Sequence, residues 1–97
     1  MADAESAIQI TENDGRHRFE AVLDGEVAGF VSYRREDDRV VLVHTEVDPQ
    51  FEGKGVGSAL ARGVLDRLRD EGVAVVPQCE FIAGWIEKHP DYADLVA

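Results

Sequence analysis

The first half of the chain alternates apolar and polar residues in short runs, and polar turns separate these runs. Ile8 and Ile10, for example, alternate with polar neighbours, as in a half-buried strand. The Asp24-Gly25 pair is typical of a tight hairpin turn, because both central residues of such a turn need a positive φ. The continuous apolar run Val40–Val43 suits a strand that is covered on both faces. Strands are predicted over 7–12, 17–23, 26–35 and 39–48.

The pattern changes in the second half of the chain. From Val56 to Leu68 apolar residues recur every four positions, which predicts an amphipathic helix over 56–71. A short buried strand is predicted over 73–77, and a second helix over 80–89. Alternation along the third strand predicts one shared face for Val27, Gly29, Val31 and Tyr33. The second helix is expected to turn Phe81, Ile82, Trp85 and Ile86 inward.

The predicted order of elements is therefore β-β-β-β-α-β-α, which indicates an α/β (α+β) fold with a mixed sheet. An antiparallel meander is followed by a βαβ unit, whose two strands are parallel, and by a C-terminal helix. Parallel strands bring their carboxyl ends to one edge of the sheet, where open α/β sheets bind ligands. We expect a site there, close to Asp48 and Gln78. Residues 1–6 are expected to be frayed, and 7–97 to form a single domain.

Composition narrows the choice of partners and compartments. Among 97 residues, ten are Lys or Arg and twenty are Asp or Glu, so the net charge is −10 at pH 7. This charge opposes nucleic-acid binding, because phosphate backbones would be repelled. The single cysteine, Cys79, cannot form an internal disulfide, and we find neither a leader segment nor an apolar run of membrane-spanning length. We therefore expect a cytoplasmic protein that does not bind membranes. Its oligomeric state stays open between a monomer and a weak dimer. No spacing of His, Cys and carboxylates predicts a metal site.

A glycine-rich loop, Gln50–Ser58, connects the fourth predicted strand to the long helix. Glycines there allow positive φ and close approach of a ligand to the backbone. The first N–H groups of a helix have no partner within it, and the helix dipole adds positive potential, so this loop could bind a phosphate group. The spacing Gly53-x-Gly55-x-Gly57 fits neither the Walker nor the Rossmann pattern. A tight turn that only permits close packing is the alternative interpretation.

This stretch resembles the acetyl-CoA signature of the GNAT-type N-acetyltransferases, Gln/Arg-x-x-Gly-x-Gly/Ala, here Gln50-x-x-Gly53-x-Gly55. The resemblance implies an N-acetyltransferase that moves an acetyl group from acetyl-CoA to an amine. It also implies that the loop amides hold the CoA pyrophosphate, and that the backbone near Val47 pairs with the pantetheine arm and the acetyl carbonyl. The cofactor-binding residues that it implies are Val47, Gln50, Phe51, Glu52, Gly53, Lys54, Gly55, Val56, Gly57 and Ser58.

Further motifs resemble a minimal, single-domain branch of this superfamily. They are a His-Thr-Glu-Val segment over 44–47, a Pro-x-Cys segment over 77–79 and a His-Pro-x-Tyr ending over 89–92. Compared with larger relatives, the chain lacks two helices between the first two strands, and it lacks the last two strands. Because those elements usually shape the acceptor pocket, the acceptor stays open between a small-molecule and a peptide amine.

The catalytic candidates are His44, Glu46 and Cys79. Supplying the neutral form of a lysine-like amine at pH 7 costs about 4.6 kcal/mol, so a base is expected. His44 and Glu46 lie two residues apart on one strand, share a face and could each take the proton. Cys79 stands where the second helix begins, so transfer through an acetyl-Cys79 intermediate is an alternative. A non-catalytic acyl-CoA-binding or sensing module is the other hypothesis.

Overall fold

The computed structural model describes residues 7–97, so the frayed segment predicted over 1–6 lies outside the described residues. The strands are β1 (Gln9–Asn13), β2 (Arg18–Leu23), β3 (Glu26–Glu36), β4 (Arg39–Val47) and β5 (Ala74–Pro77). The helices are α1 (Val56–Glu71) and α2 (Glu80–Lys88), and short 3-10 segments cover Asp14–Arg16, Pro49–Phe51 and Pro90–Leu95. The predicted order and fold class are confirmed. The bounds of α1 are as predicted, and the other elements differ by one or two residues.

The five strands form one sheet in the order β1-β2-β3-β4-β5. Strands β1 to β4 are antiparallel neighbours, and β5 pairs with β4 in parallel, as the βαβ prediction requires. The predicted hairpin turn is present, with φ of 53° at Asp24 and 79° at Gly25. Beyond α2 the chain returns to the sheet, where Val96 forms a parallel bridge with Val75.

Both helices pack on one face of the sheet. Helix α1 buries Leu60, Leu65 and Leu68 completely against the strands, and α2 adds its apolar side to the same core. Contacts between the two helices include a hydrogen bond from Trp85 Nε1 to Ser58 Oγ at 3.4 Å. Within residues 7–97 no helix lies over the other face, which we call the open face.

A β-bulge in β3 changes the face of one apolar residue. The pairing of β2 with β3 shifts so that Ala28 is an extra residue between Val27 and Gly29. Strict alternation predicts Val27 on the buried face with Val31, but Val27 is 41% exposed, so that prediction is wrong. The physical reason is that an inserted residue reverses the alternation on one side of it.

A second bulge lies in β4. Tyr33 pairs with Leu42, whereas Ser32 pairs with His44, so Val43 is the extra residue. Leu42 is completely buried, but Val43 is 40% exposed. The prediction that the whole run Val40–Val43 is covered on both faces is therefore wrong at its last residue. The bulge also decides which face the rest of β4 presents to solvent.

Candidate active site

Strands β4 and β5 separate near the middle of β4. The last pair between them is Leu42 with Pro77, and the amide of Cys79 still donates to the Leu42 carbonyl at 3.0 Å. Strand β4 then continues to Val47, while the segment after β5 turns away from it into α2. Within the described residues, Val43–Val47 therefore has β3 as its only strand neighbour, and a gap opens on the β5 side.

The backbone of β4 presents polar groups to this gap. The amide of Asp48 donates to the Ala28 carbonyl at 2.8 Å, so residue 48 points its N–H toward β3. Successive residues of an antiparallel strand point their N–H and C=O groups to opposite sides. The backbone groups of Thr45 and Val47 therefore face the gap, where the described residues provide no strand to pair with them.

The loop after β4 is tightly turned. A 3-10 turn covers Pro49–Phe51, and Asp48 Oδ1 caps it by accepting from the Gln50 amide at 2.9 Å. The Phe51 side chain is half-buried and packs against the core, which anchors the loop. Gly53 and Gly55 both adopt left-handed backbone conformations, with φ of 80° and 81°. A side chain at either position would be strained, so the sequence pattern has a conformational cause.

The loop ends in a row of amides that lack acceptors. The first intrahelical bond of α1 joins the Ala59 amide to the Gly55 carbonyl at 3.0 Å, and no side chain caps the helix. In the part of the chain that the structure describes, the N–H groups of Gly53 and 55–58 have no hydrogen-bond acceptor. With the helix dipole, such a row favours an anion. Lys54 adds a positive charge, and Glu52 opposes it.

Helix α2 flanks this row of amides. A Cβ built on Gly57 would lie 2.9 Å from Cζ of Phe81, so the aromatic ring packs on the first turn of α1. Phe81 is nevertheless 44% exposed, and the prediction that it turns inward with Trp85 is wrong. Its ring covers the neighbouring helix rather than the sheet, and sequence periodicity cannot distinguish these two partners.

Cys79 lies at the start of α2 and is nearly buried, with 8% exposure. Its Sγ is 3.0 Å from Thr45 Oγ1, and either atom can be the donor. Thr45 was not among the site residues predicted from the sequence. The available signal was its position between His44 and Glu46, because alternation places its side chain on the opposite face of the strand.

His44 and Glu46 lie together on the open face. Nε2 of His44 is 3.3 Å from Oε2 of Glu46, and their side chains are 59% and 62% exposed. The bulge at Val43 places them there, since strict alternation from buried Leu42 would have turned them toward the core. Their predicted shared face is correct. The structure does not bring them next to Cys79, because Cys79 contacts Thr45, whose side chain is on the opposite face of β4.

A cleft of about 370 Å³ adjoins Glu46 on the open face. It is lined by Arg18, Val27, Ala28, Gly29, Phe30, Glu46, Val47, Asp48 and Pro49. The Arg18 guanidinium stacks on the Phe30 ring at 4.4 Å, and Arg18 Nε donates to Glu20 Oε2 at 2.8 Å. This hydrogen bond from Arg18 is the main cause that lowers the pKa of Glu20. Arg18 and Phe30 were missed because only the register of three strands brings them to Glu46.

Two further observations concern metal-binding clusters and membrane-spanning helices. In residues 7–97 we find no cluster of three or more His, Cys, Asp or Glu side chains that could hold a metal ion. None of the helices described in this range is both long and apolar enough to cross a bilayer.

Comparisons with known proteins agree with this architecture. The solution structure of a GCN5-like protein from Staphylococcus aureus superposes with a TM-score of 0.70, over 95% of this chain and 90% of that one, at 22% identity. Protein NATD1 of Xenopus tropicalis is 27% identical over 90 residues, which cover 91% of this chain and 83% of that protein. N-acetylaspartate synthetase of Rattus norvegicus is 50% identical over 48 residues.

Coverage differs widely among these relatives. The match to the rat synthetase includes 47% of this chain but only 16% of that protein's length. The family model of the GCN5-related N-acetyl-transferases matches residues 18–95, which include the sheet from β2 onward, the glycine loop and both helices. The chain therefore belongs to the GCN5-related N-acetyltransferase family.

Proposed function

We propose that the chain is an acetyl-CoA-dependent N-acetyltransferase that moves an acetyl group to an amine. One observation carries this proposal. The exposed backbone edge of Val43–Val47 lies directly before a loop in which the amides of Gly53 and 55–58 have no acceptor among the described residues. A ligand with an extended amide-containing arm and a diphosphate has the chemistry that both features need. Family membership over residues 18–95 supports the same activity.

The residues present fit acetyl-CoA well. The amides of Gly53 and 55–58 would bind the pyrophosphate, and the exposed ammonium of Lys54 adds a charge-assisted contact. The pantetheine amides would pair with the backbone of Thr45 and Val47, as a strand would in the gap. The exposed ring of Phe81 supplies an apolar wall beside Gly57. When bound, acetyl-CoA supplies the activated acetyl group.

Side chains of β4 would then accept the proton that the amine loses. In direct transfer the amine nitrogen bonds to the acetyl carbon, the carbon–sulfur bond breaks, and CoA leaves as the thiolate. His44 or Glu46 would take the proton that the amine loses, and the Val47 N–H would donate to the acetyl oxygen. A base is needed, because the neutral form of a lysine-like amine costs about 4.6 kcal/mol at pH 7.

The contact between Cys79 and Thr45 favours one alternative route. In that route Sγ of Cys79 would take the acetyl group as CoA leaves with the thiol proton, and the amine would then displace Sγ, which regains a proton. The Thr45 hydroxyl is a hydrogen-bond partner of this sulfur. The thiol is nearly buried in the described structure, so this route needs an opening on the side of the gap. A non-catalytic acyl-CoA-binding module is a second alternative, and it differs by the absence of turnover.

Two glycine variants test binding by the loop. Gly53→Ala and Gly25→Ala each add a methyl at a φ close to 80°, and neither Cβ would meet an atom within 4 Å. Both variants should therefore lose a similar free energy of unfolding, about 1–2 kcal/mol. Only Gly53→Ala should weaken acetyl-CoA binding, by about tenfold or more, because strain displaces the loop amides.

Calorimetry and thermal unfolding measure these effects. Acetyl-CoA at 100 times its Kd should stabilise the wild type and the Gly25→Ala control by about 2.7 kcal/mol. No stabilisation of the wild type, or equal affinity in both variants, would contradict binding by the loop. Tight binding without CoA release, across a panel of amines, would favour the binding module instead.

A further inference from the structure

We propose that the open-face cleft binds the acceptor, and that this acceptor is a cationic aliphatic amine with no carboxylate on its chain. The inference rests on the proposed function and adds the class of acceptor to it. The cleft of about 370 Å³ is large enough for an aliphatic chain of several carbons. Three features carry the argument: its position, its charge and its apolar lining.

The position places an acceptor beside the reacting group. Glu46, Val47 and Asp48 line the cleft, and they form the last part of β4 and the first residue after it. The backbone of Val47 faces the gap on the other side of the same segment. An amine in the cleft is therefore separated from the gap only by the end of one strand. His44 and Glu46 lie on the same open face and are 3.3 Å apart.

The charges of the cleft favour a cation. Arg18, Glu46 and Asp48 are its three charged lining residues. The charge of Arg18 is offset by Glu20 at 2.8 Å, in a pair whose side chains are only 22% and 12% exposed. The Asn13 amide also donates to this carboxylate, at 3.1 Å, which holds it in place. The carboxylates of Glu46 and Asp48 therefore give the cleft a net negative charge.

The apolar part of the lining fits an aliphatic chain. Val27 is 41% exposed because the bulge in β3 turns it outward, and Phe30 is half-buried under the Arg18 guanidinium. Pro49 is exposed, lines the cleft and directly precedes the glycine loop in the sequence. These surfaces offer no hydrogen-bond donor to a carboxylate. An acceptor with a carboxylate on its chain would lose water from that group, and the guanidinium of Arg18, the cation among the lining residues, already pairs with Glu20.

Three acceptors of similar chain length test the charge argument. Cadaverine, pentylamine and δ-aminovalerate share an aliphatic primary amine and differ in the far end, which is cationic, neutral or anionic. With acetyl-CoA as donor, kcat/KM should be about tenfold higher or more for cadaverine than for δ-aminovalerate. Equal values, or a preference for the anionic acceptor, would overturn the proposal.

Two variants assign the selectivity to residues. Glu46→Gln should reduce the ratio of kcat/KM for cadaverine to that for δ-aminovalerate by about tenfold. Loss of a base would lower both rates equally and cancel in this ratio. Arg18→Gln should raise the ratio, because it removes a positive charge and frees Glu20. If Arg18→Gln instead removed binding of δ-aminovalerate while Glu46→Gln left the ratio unchanged, Arg18 would be the anchor and the proposal would be wrong.

A binding experiment without the donor separates the two proposals. Titration of the isotope-labelled protein with cadaverine should shift the amide resonances of Phe30, Glu46 and Val47, and Glu46→Gln should weaken that titration. Absence of these shifts overturns the acceptor site, whether or not turnover occurs. Acetyl-CoA binding to the same sample, and its sensitivity to Gly53→Ala, reports separately on the proposed function.

Discussion

Gly29→Ala should disturb the core and the active site together. Gly29 lies in β3 opposite Val47, under the first turns of α1. A Cβ built on Gly29 would lie 2.7 Å from the carbonyl oxygen of Glu46, 3.1 Å from Cγ1 of Val56 and 3.2 Å from Cδ1 of Leu60. The shortest of these contacts is with backbone, so no side-chain rotation can relieve it. Either the end of β4 or the start of α1 must move.

The magnitude follows from this overpacking. An inserted methylene in a well-packed core costs about 1–3 kcal/mol. For a domain of this size, each kcal/mol lowers Tm by about 4–8 °C, so the expected fall is roughly 4 to 24 °C. A shift of β4 also displaces the backbone of Val47, which faces the gap. Acetyl-CoA affinity should therefore fall even at temperatures at which the variant is fully folded.

Gly84→Ala is the matched control for this experiment. Gly84 lies inside α2, and a Cβ there would meet no atom within 4 Å. This variant should gain about 0.5–1 kcal/mol, because alanine is the better helix former. Circular dichroism measures Tm for both variants, and calorimetry measures acetyl-CoA affinity well below either Tm. A Gly29→Ala variant as stable as the wild type would refute the packing argument. Unchanged affinity would refute the link between this contact and the site.

Two further predictions concern alkaline stability and the route of transfer. Burial, and then a hydrogen bond to Glu12, raise the pKa of Tyr33 from 10.0 to about 12. Since the folded state favours the neutral phenol, Tyr33 contributes fully to the free energy of unfolding below pH 10. This contribution is lost as the pH rises toward 12. In urea denaturation, the free energy of unfolding of Tyr33→Phe should fall less steeply between pH 10 and 12 than that of the wild type. Some fall should remain, because burial also raises the pKa of Tyr92. For the route, direct transfer with an imidazole base predicts CoA release about 10²–10⁴-fold slower in His44→Ala. A cysteine route predicts an acetyl adduct in the intact mass that Cys79→Ala lacks. Unchanged turnover in both variants would remove both residues from the mechanism.

Periodicity predicted the elements because each one buries a single side. The four-residue spacing from Val56 to Leu68 places one stripe of α1 on the sheet, and its observed bounds are the predicted ones. The positions of the tight turns could also be predicted from the sequence. The positive φ values at Asp24, Gly25, Gly53 and Gly55 belong to residues that tolerate them, so both turns could be located from residue type alone.

Periodicity failed where one residue was inserted into a strand. The bulges at Ala28 and Val43 leave no mark in residue type, since both are ordinary strand residues. They nevertheless expose Val27 and turn His44 to the open face, because every side chain beyond an insertion changes face. Phe81 shows the same limit for helices, since its apolar character did not distinguish a contact with α1 from burial on the sheet.

The sequence by itself determined the order of elements, the glycine loop before α1 and the His44–Glu46 pair, because these depend on neighbours within a few positions. Only the tertiary structure decided where β4 and β5 separate, that Cys79 contacts Thr45 on the face opposite His44, and that Arg18 and Phe30 meet Glu46 in a cleft. These juxtapositions join residues from 12 positions apart, as for Arg18 and Phe30, to 35 positions apart, as for Leu42 and Pro77. They follow from strand register and bulges, which a local pattern does not encode.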